Sequence, residues 1–183
     1  MKRHIVFLAM LIGICNTSCT THFFTEPQPV GVQSTDKMPE PIMGEWKSLD
    51  MNETHIIDKN RWIRKSADSL GIVTTKVEQC ISDSLIIKKV GKLYFVNTLE
   101  DGNLWTVYLG QSSGNFFYIK GLGEADTLIL KTSLGIVPDS TANSTELYYK
   151  QNLTKKQIKK LVKNGGFADT LMVFDLKNRT LKN

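Results

Sequence analysis

KLYFVNTLEDGNLWTVYLG, residues Lys92–Gly110, sets two alternating apolar runs on either side of Asp101-Gly102. A period of two sends successive side chains to opposite faces of a strand, and Asp-Gly supplies the backbone freedom of a tight turn. The stretch reads as a β-hairpin of Lys92–Leu99 and Asn103–Gly110. With Asp101-Gly102 as a two-residue loop, Thr98 faces Trp105, Val96 faces Val107 and Tyr94 faces Leu109. The other face pairs Leu99 with Leu104, Asn97 with Thr106 and Phe95 with Tyr108. Tyr94, Val96, Trp105, Val107 and Leu109 belong to the more apolar set. They are expected to point inward and are the candidate lining of a ligand cavity.

Similar runs lie on both sides. His55–Asp58 and Arg61–Lys65 flank Lys59-Asn60, a second hairpin candidate, and Asn115–Lys120 follows a Ser-Ser-Gly turn. Three look-alikes, Ser82–Lys89, Ala125–Thr132 and Ala168–Asp175, each open with Asp-Ser/Thr-Leu and continue apolar, so each is expected to be a strand. Glu146–Gln151 adds another. One helix is expected near 154–164, from the Thr154/Gln157 capping box to the stop at Asn164-Gly165-Gly166. Ile158, Leu161 and Val162 share one of its faces. The fold class is all-β with one C-terminal helix, an antiparallel meander.

Closing such a meander into a barrel removes its unpaired edges. Gly44-Glu45-Trp46, at the start of the first strand, is similar to the Gly-x-Trp opening of lipocalins, and Thr154–Lys177 resembles their late helix and short strand. The resemblance implies a ligand-holding barrel, with a basic residue, Lys177 or Arg179, stacked on the tryptophan. A β-sandwich or open barrel is the alternative.

The N-terminus sets the address. Lys2 and Arg3 precede Ile5–Ile14, an apolar run of ten residues. That is too short for a spanning helix, which takes about 20 residues, and suits an export signal. Asn16-Thr17-Ser18-Cys19 resembles a bacterial lipobox, with small residues at the two positions before the cysteine and Asn16 departing from the pattern. The resemblance implies cleavage after residue 18 and lipidation of Cys19. The residues after Cys19 open with neither an aspartate at the second position nor an acidic run, which by the same resemblance implies the outer membrane, periplasmic face. Residues 1–18 are thus expected as signal, 19–43 with their four prolines as a tether, and 44–183 as the domain.

Loss of Lys2 and Arg3 lowers the net charge from +5 to +3, and no basic stripe alternates with aromatics, so nucleic acid is not an expected partner. Cys80 is the one remaining cysteine besides Cys19, so the domain needs no internal disulfide, and Cys80 is expected as a small buried side chain. His55 is the only histidine expected in the domain. No spacing suggests zinc, a phosphate loop or a nucleophile elbow, so neither metal, cofactor nor enzymatic activity is expected. Five of ten aspartates (68, 83, 126, 139 and 169) precede Ser or Thr and then Leu or Thr. This resembles an acceptor of Gram-negative O-glycosylation on Ser69, Ser84, Thr127, Ser140 and Thr170, with Ser140 the best candidate. Turn chemistry of Asp and Ser/Thr accounts for most of the pattern. The expected function is a lipid-anchored envelope protein binding a small apolar ligand or lipid. The alternative is a non-enzymatic interaction module of an envelope complex, with Lys156 and Lys160 as its candidate partner surface.

Overall fold

The computed structural model describes residues 20–47, 53–143 and 145–177. The signal, Cys19 and Arg179 lie outside the described residues. Two antiparallel meanders follow one another along the chain. The first runs through β3 (Gly44–Lys47), β4 (Glu53–Ile57), β5 (Arg61–Ala67) and β6 (Val73–Cys80) and forms a separate four-stranded sheet. The second comprises β7 (Leu85–Val90), β8 (Leu93–Glu100), β9 (Leu104–Ser113) and β10 (Phe116–Gly121), at the centre of a nine-stranded sheet.

β6 pairs with β5 and β7 with β8 and β2 (Ser34–Thr35), so the chain leaves one sheet at Cys80 and enters the other at Leu85. With this break the described residues form a mostly β fold, with an open mixed sheet and no closed barrel. The two sheets face each other across a core of Trp46, Ile57, Leu85, Ile87, Phe117, Ile119 and Phe174. The Gly-x-Trp tryptophan belongs to this core. Trp46 donates its indole N–H to Ile42 O at 2.7 Å, and the ring that meets it edge-on is Phe174, at 5.1 Å. Of the two basic residues that the resemblance offered as its partner, Lys177 is exposed and Arg179 lies outside the described residues.

The segment expected as a tether is instead part of the sheet. β1 (Thr21–Phe24) lies between β9 and β12 (Glu146–Tyr149), antiparallel to the first and parallel to the second. Phe24 is fully buried, and so are Met38 and Ile42 further along. Between them, Gln28 exchanges hydrogen bonds with Asn97, and the Lys88 ammonium donates to Pro27 O and Pro29 O. Burial lowers the Lys88 pKa. Pro27 and Pro29, which read as linker residues, are here fixed by a buried polar cluster, and His22 and Phe24 on alternate positions of β1 point into the core.

Among the described residues there are two α-helices. The C-terminal one, α2 (Lys155–Lys163), starts at the Thr154/Gln157 capping box and buries Ile158 and Leu161. The other, α1 (Glu124–Leu134), occupies residues expected as a strand. Ala-Asp-Thr-Leu occurs twice, at 125–128 inside α1 and at 168–171 in β13 (Asp169–Asp175). The tetrapeptide therefore does not choose its conformation; its surroundings do. Asp126 at the third helical position accepts from Gly123 N, and Gly135 ends the helix in the left-handed region at φ 68°. Both helices cover one face of the larger sheet, where Phe24, Phe95, Val107, Leu109, Leu130 and Leu161 pack together.

Candidate functional site

The hairpin of β8 and β9 forms as expected, but its register differs by one residue. Leu99 pairs with Trp105, Asn97 with Val107, Phe95 with Leu109 and Val96 with Tyr108. The loop holds three residues, Asp101-Gly102-Asn103, with Gly102 at φ 76° and Asn103 at φ 62°. Asn103 tolerates that conformation better than most side chains, which lets it join the loop. One extra loop residue turns β8 over relative to β9.

The expected inward set is therefore divided between two faces. Val107 and Leu109 lie on the helix-covered face, together with Phe95, and Trp105 shares that face by alternation along β9. Tyr94 and Val96 lie on the other, toward the four-stranded sheet. Tyr94 packs on Phe117 with Lys89 over its ring. Of the five, only Val96 borders the cavity described next.

Where the chain passes from one sheet to the other, the sheets part and leave an open cleft of about 850 Å³. Its apolar walls include Trp62, Leu85, Val96, Tyr108, Ile119 and Met172. Edge strands frame the mouth: Val77 and Gln79 of β6 on one side and Leu171 of β13 on the other. A pocket of several hundred Å³, mostly apolar with a few placed polar groups, is the usual form of a small-molecule site.

The polar groups come from both sheets. Glu100, Thr98, Thr106 and Tyr108 form a cluster on the larger sheet, with Thr98 Oγ1 3.0 Å and Thr106 Oγ1 3.1 Å from Glu100 Oε1. On the smaller sheet, Glu53 accepts from Ser66 Oγ at 3.1 Å and lies 3.6 Å from His55 Nε2. Arg64 is the only cation among the described lining residues.

His55 is a buried strand histidine beside this cleft. Trp62 Nε1–H donates to its Nδ1 at 3.1 Å, which assigns the remaining ring proton to Nε2, toward Glu53. Burial lowers its pKa, Glu53 opposing and Arg64 reinforcing that shift. Trp62, Glu53 and the edge of Phe174 surround the ring, an environment that orients Trp62 on the cleft wall. His22, expected in the tether, is also buried. Its Nδ1 lies 3.1 Å from Tyr149 Oη and its Nε2 3.0 Å from Gly123 O. Among the described residues, no group of three His, Cys, Asp or Glu side chains is placed to hold a metal ion.

The other singled-out residues lie apart from the cleft or at its rim. Cys80, expected to be buried, is exposed on β6. Lys156 and Lys160 are exposed on α2, but Lys160 Nζ donates to Ser133 O in the last turn of α1 at 2.6 Å, so it also ties the helices together. Ser69, Ser84, Ser140 and Thr170 are exposed, while Thr127 is half-buried in α1. Asp68 accepts from Leu70 N and Ile72 N, Asp139 from Lys150 N, and Asp126 from three backbone N–H groups. Three of these aspartates thus satisfy local backbone donors, the role that turn chemistry assigns them.

The sequence carried no signal for the cleft, because it arises from strands far apart in the chain. Val77 and Met172 come together only through the break between the sheets. Compared with known proteins, the chain matches no family model, no curated protein and no solved structure.

Proposed function

We propose that this protein is a non-enzymatic lipoprotein of the cell envelope that holds a small apolar or amphipathic ligand in the cleft between its sheets. The observation that carries the reading is the cleft itself, about 850 Å³ with Trp62, Val96, Tyr108, Ile119 and Met172 on its walls. In this reading Cys19 is lipidated and anchors the chain in the outer membrane, facing the periplasm. Two or more acyl chains make such attachment stable. Thr20 is buried and Thr21 begins β1, so the anchor leads into the sheet with almost no spacer. The domain then rests close to the bilayer from which an apolar ligand would come.

A second reading, an interaction module, draws on β6. All eight of its residues are exposed, and among the described residues it pairs only with β5. An unpaired edge can accept a strand from a partner.

Photo-crosslinking in intact cells separates the two. A benzophenone amino acid at Val77, on the rim of the cleft, is expected to capture a small molecule, and one at Leu128, exposed on α1, is not. Capture of a discrete protein at Val77, with no small-molecule adduct, overturns the ligand reading in favour of the second.

A further inference from the structure

Thr98, Glu100 and Tyr108 line the cleft with Thr106 buried beside them, and this cluster has more acceptors than hydrogens. Thr98 Oγ1 lies 2.6 Å from Thr106 Oγ1 and 3.0 Å from Glu100 Oε1. Thr106 Oγ1 lies 3.1 Å from the same carboxylate oxygen and 3.4 Å from Tyr108 Oη. These are four oxygen–oxygen contacts. A threonine hydroxyl carries one hydrogen and a carboxylate none. Even with the Tyr108 hydrogen turned inward, three hydrogens serve four contacts. If both threonines donate to Glu100, their own oxygens face each other at 2.6 Å with nothing between them. The cluster is stabilised by an added donor, whereas an added acceptor finds one spare hydrogen, that of Tyr108 when Thr106 donates to its Oη, beside the Glu100 carboxylate.

The charge of the lining agrees. Glu53, Glu78 and Glu100 border the cleft against one cation, Arg64. Glu78 is partly offset by Lys76 at 3.1 Å and Arg61 at 3.6 Å. The remaining excess is negative, in a chain whose overall charge is +5. Thr106 is almost wholly buried behind Thr98, while Glu100 stands exposed, where its carboxylate is open to a charge-assisted hydrogen bond from a ligand donor.

Resting on the ligand reading above, we infer that the ligand's polar end carries a protonated amine, whose N–H groups reach Glu100, Thr98 and Tyr108 while its apolar part lies along Val96, Ile119 and Met172. A carboxylate or phosphate head would meet the Glu100 carboxylate with a single spare hydrogen, that of Tyr108, to receive it. A quaternary ammonium would bring the charge without the hydrogens.

Isothermal titration of the full chain in phosphatidylcholine nanodiscs, with empty discs as the blank, tests this with octylamine, octyltrimethylammonium and octanoate. Octylamine is expected to bind at least about tenfold more tightly than octanoate, the margin of one charge-assisted hydrogen bond, with the quaternary amine between them. Glu100→Gln, at an exposed position, is expected to bring octylamine down to the level of the quaternary amine. Octanoate binding as tightly as octylamine overturns the inference, as does an amine preference that survives Glu100→Gln. Those outcomes leave the cleft as a ligand site. Failure of all three probes to bind overturns the ligand reading together with the inference.

Discussion

The Trp62 indole N–H donates to His55 Nδ1 at 3.1 Å, and through this bond a buried imidazole holds an aromatic wall of the cleft in place. The bond requires a neutral ring, because an imidazolium has no lone pair with which to accept it.

His55 and His22 both have pKa values lowered from the ordinary 6.5, chiefly by burial. The unfolded chain therefore takes up protons near pH 6.5 that the folded chain refuses until lower pH. Stability from both groups is complete above pH 6.5 and is lost as pH falls toward their folded values. The melting temperature is expected to drop between pH 7.5 and pH 5. His55→Asn and His22→Asn, whose side-chain oxygens can replace Nδ1 as acceptor, are each expected to flatten that slope in thermal unfolding followed by circular dichroism.

Asp126 and Asp169 occupy the same position in the two Ala-Asp-Thr-Leu segments and are expected to respond differently to alanine. Asp126 is fully buried and accepts from Gly123 N, Phe167 N and Ala168 N, joining the start of α1 to the approach of β13. Removing it strands buried donors, and Asp126→Ala is expected to cost about 3 kcal/mol or more. Asp169 is exposed, and Asp169→Ala is expected to stay within about 1 kcal/mol. Urea unfolding of the two variants checks the contrast.

The position of β1 makes a prediction about where the domain begins. A chain starting at Gly44 lacks β1, Phe24, Met38 and Ile42, and with them a strand between β9 and β12. It is expected not to fold, whereas one starting at Thr20 is expected to give a dispersed amide spectrum by nuclear magnetic resonance. Good dispersion from the shorter chain would contradict the placement of β1.

If the Asp-Ser/Thr segments are glycosylated, exposure sets the order. Ser69, Ser84, Ser140 and Thr170 are accessible, and Thr127 sits half-buried in a helix. Peptide mass mapping of protein from its native membranes is expected to find sugar among the first four and none on Thr127.

Local chemistry explains what could be read from the sequence. The Asp-Gly hairpin, the Lys59-Asn60 turn and the Thr154 capping box each contain their own signal within a few residues, and each forms. Register was not legible, because Asn103 can take a left-handed conformation that most residues avoid, and this one residue divided Tyr94 and Val96 from Trp105 and Val107. The second Ala-Asp-Thr-Leu reads like the first, yet Gly123 and Gly135, outside the tetrapeptide, make the first helical. The prolines of residues 20–43 suggested a linker, while the contacts of Gln28, Asn97 and Lys88 that fix them lie about 60 to 70 residues apart. The cleft depends on the missing pairing between β6 and β7, which no local pattern encodes.

Native mass spectrometry of the full chain, released from its own membranes, tests the central claim most directly. The account predicts a stoichiometric small-molecule adduct on the wild-type chain. Val77→Trp, which places an indole at a rim position that is 39% exposed, is expected to lose the adduct while keeping its melting temperature. An adduct-free wild-type chain, or an adduct that Val77→Trp retains in full, would contradict the account.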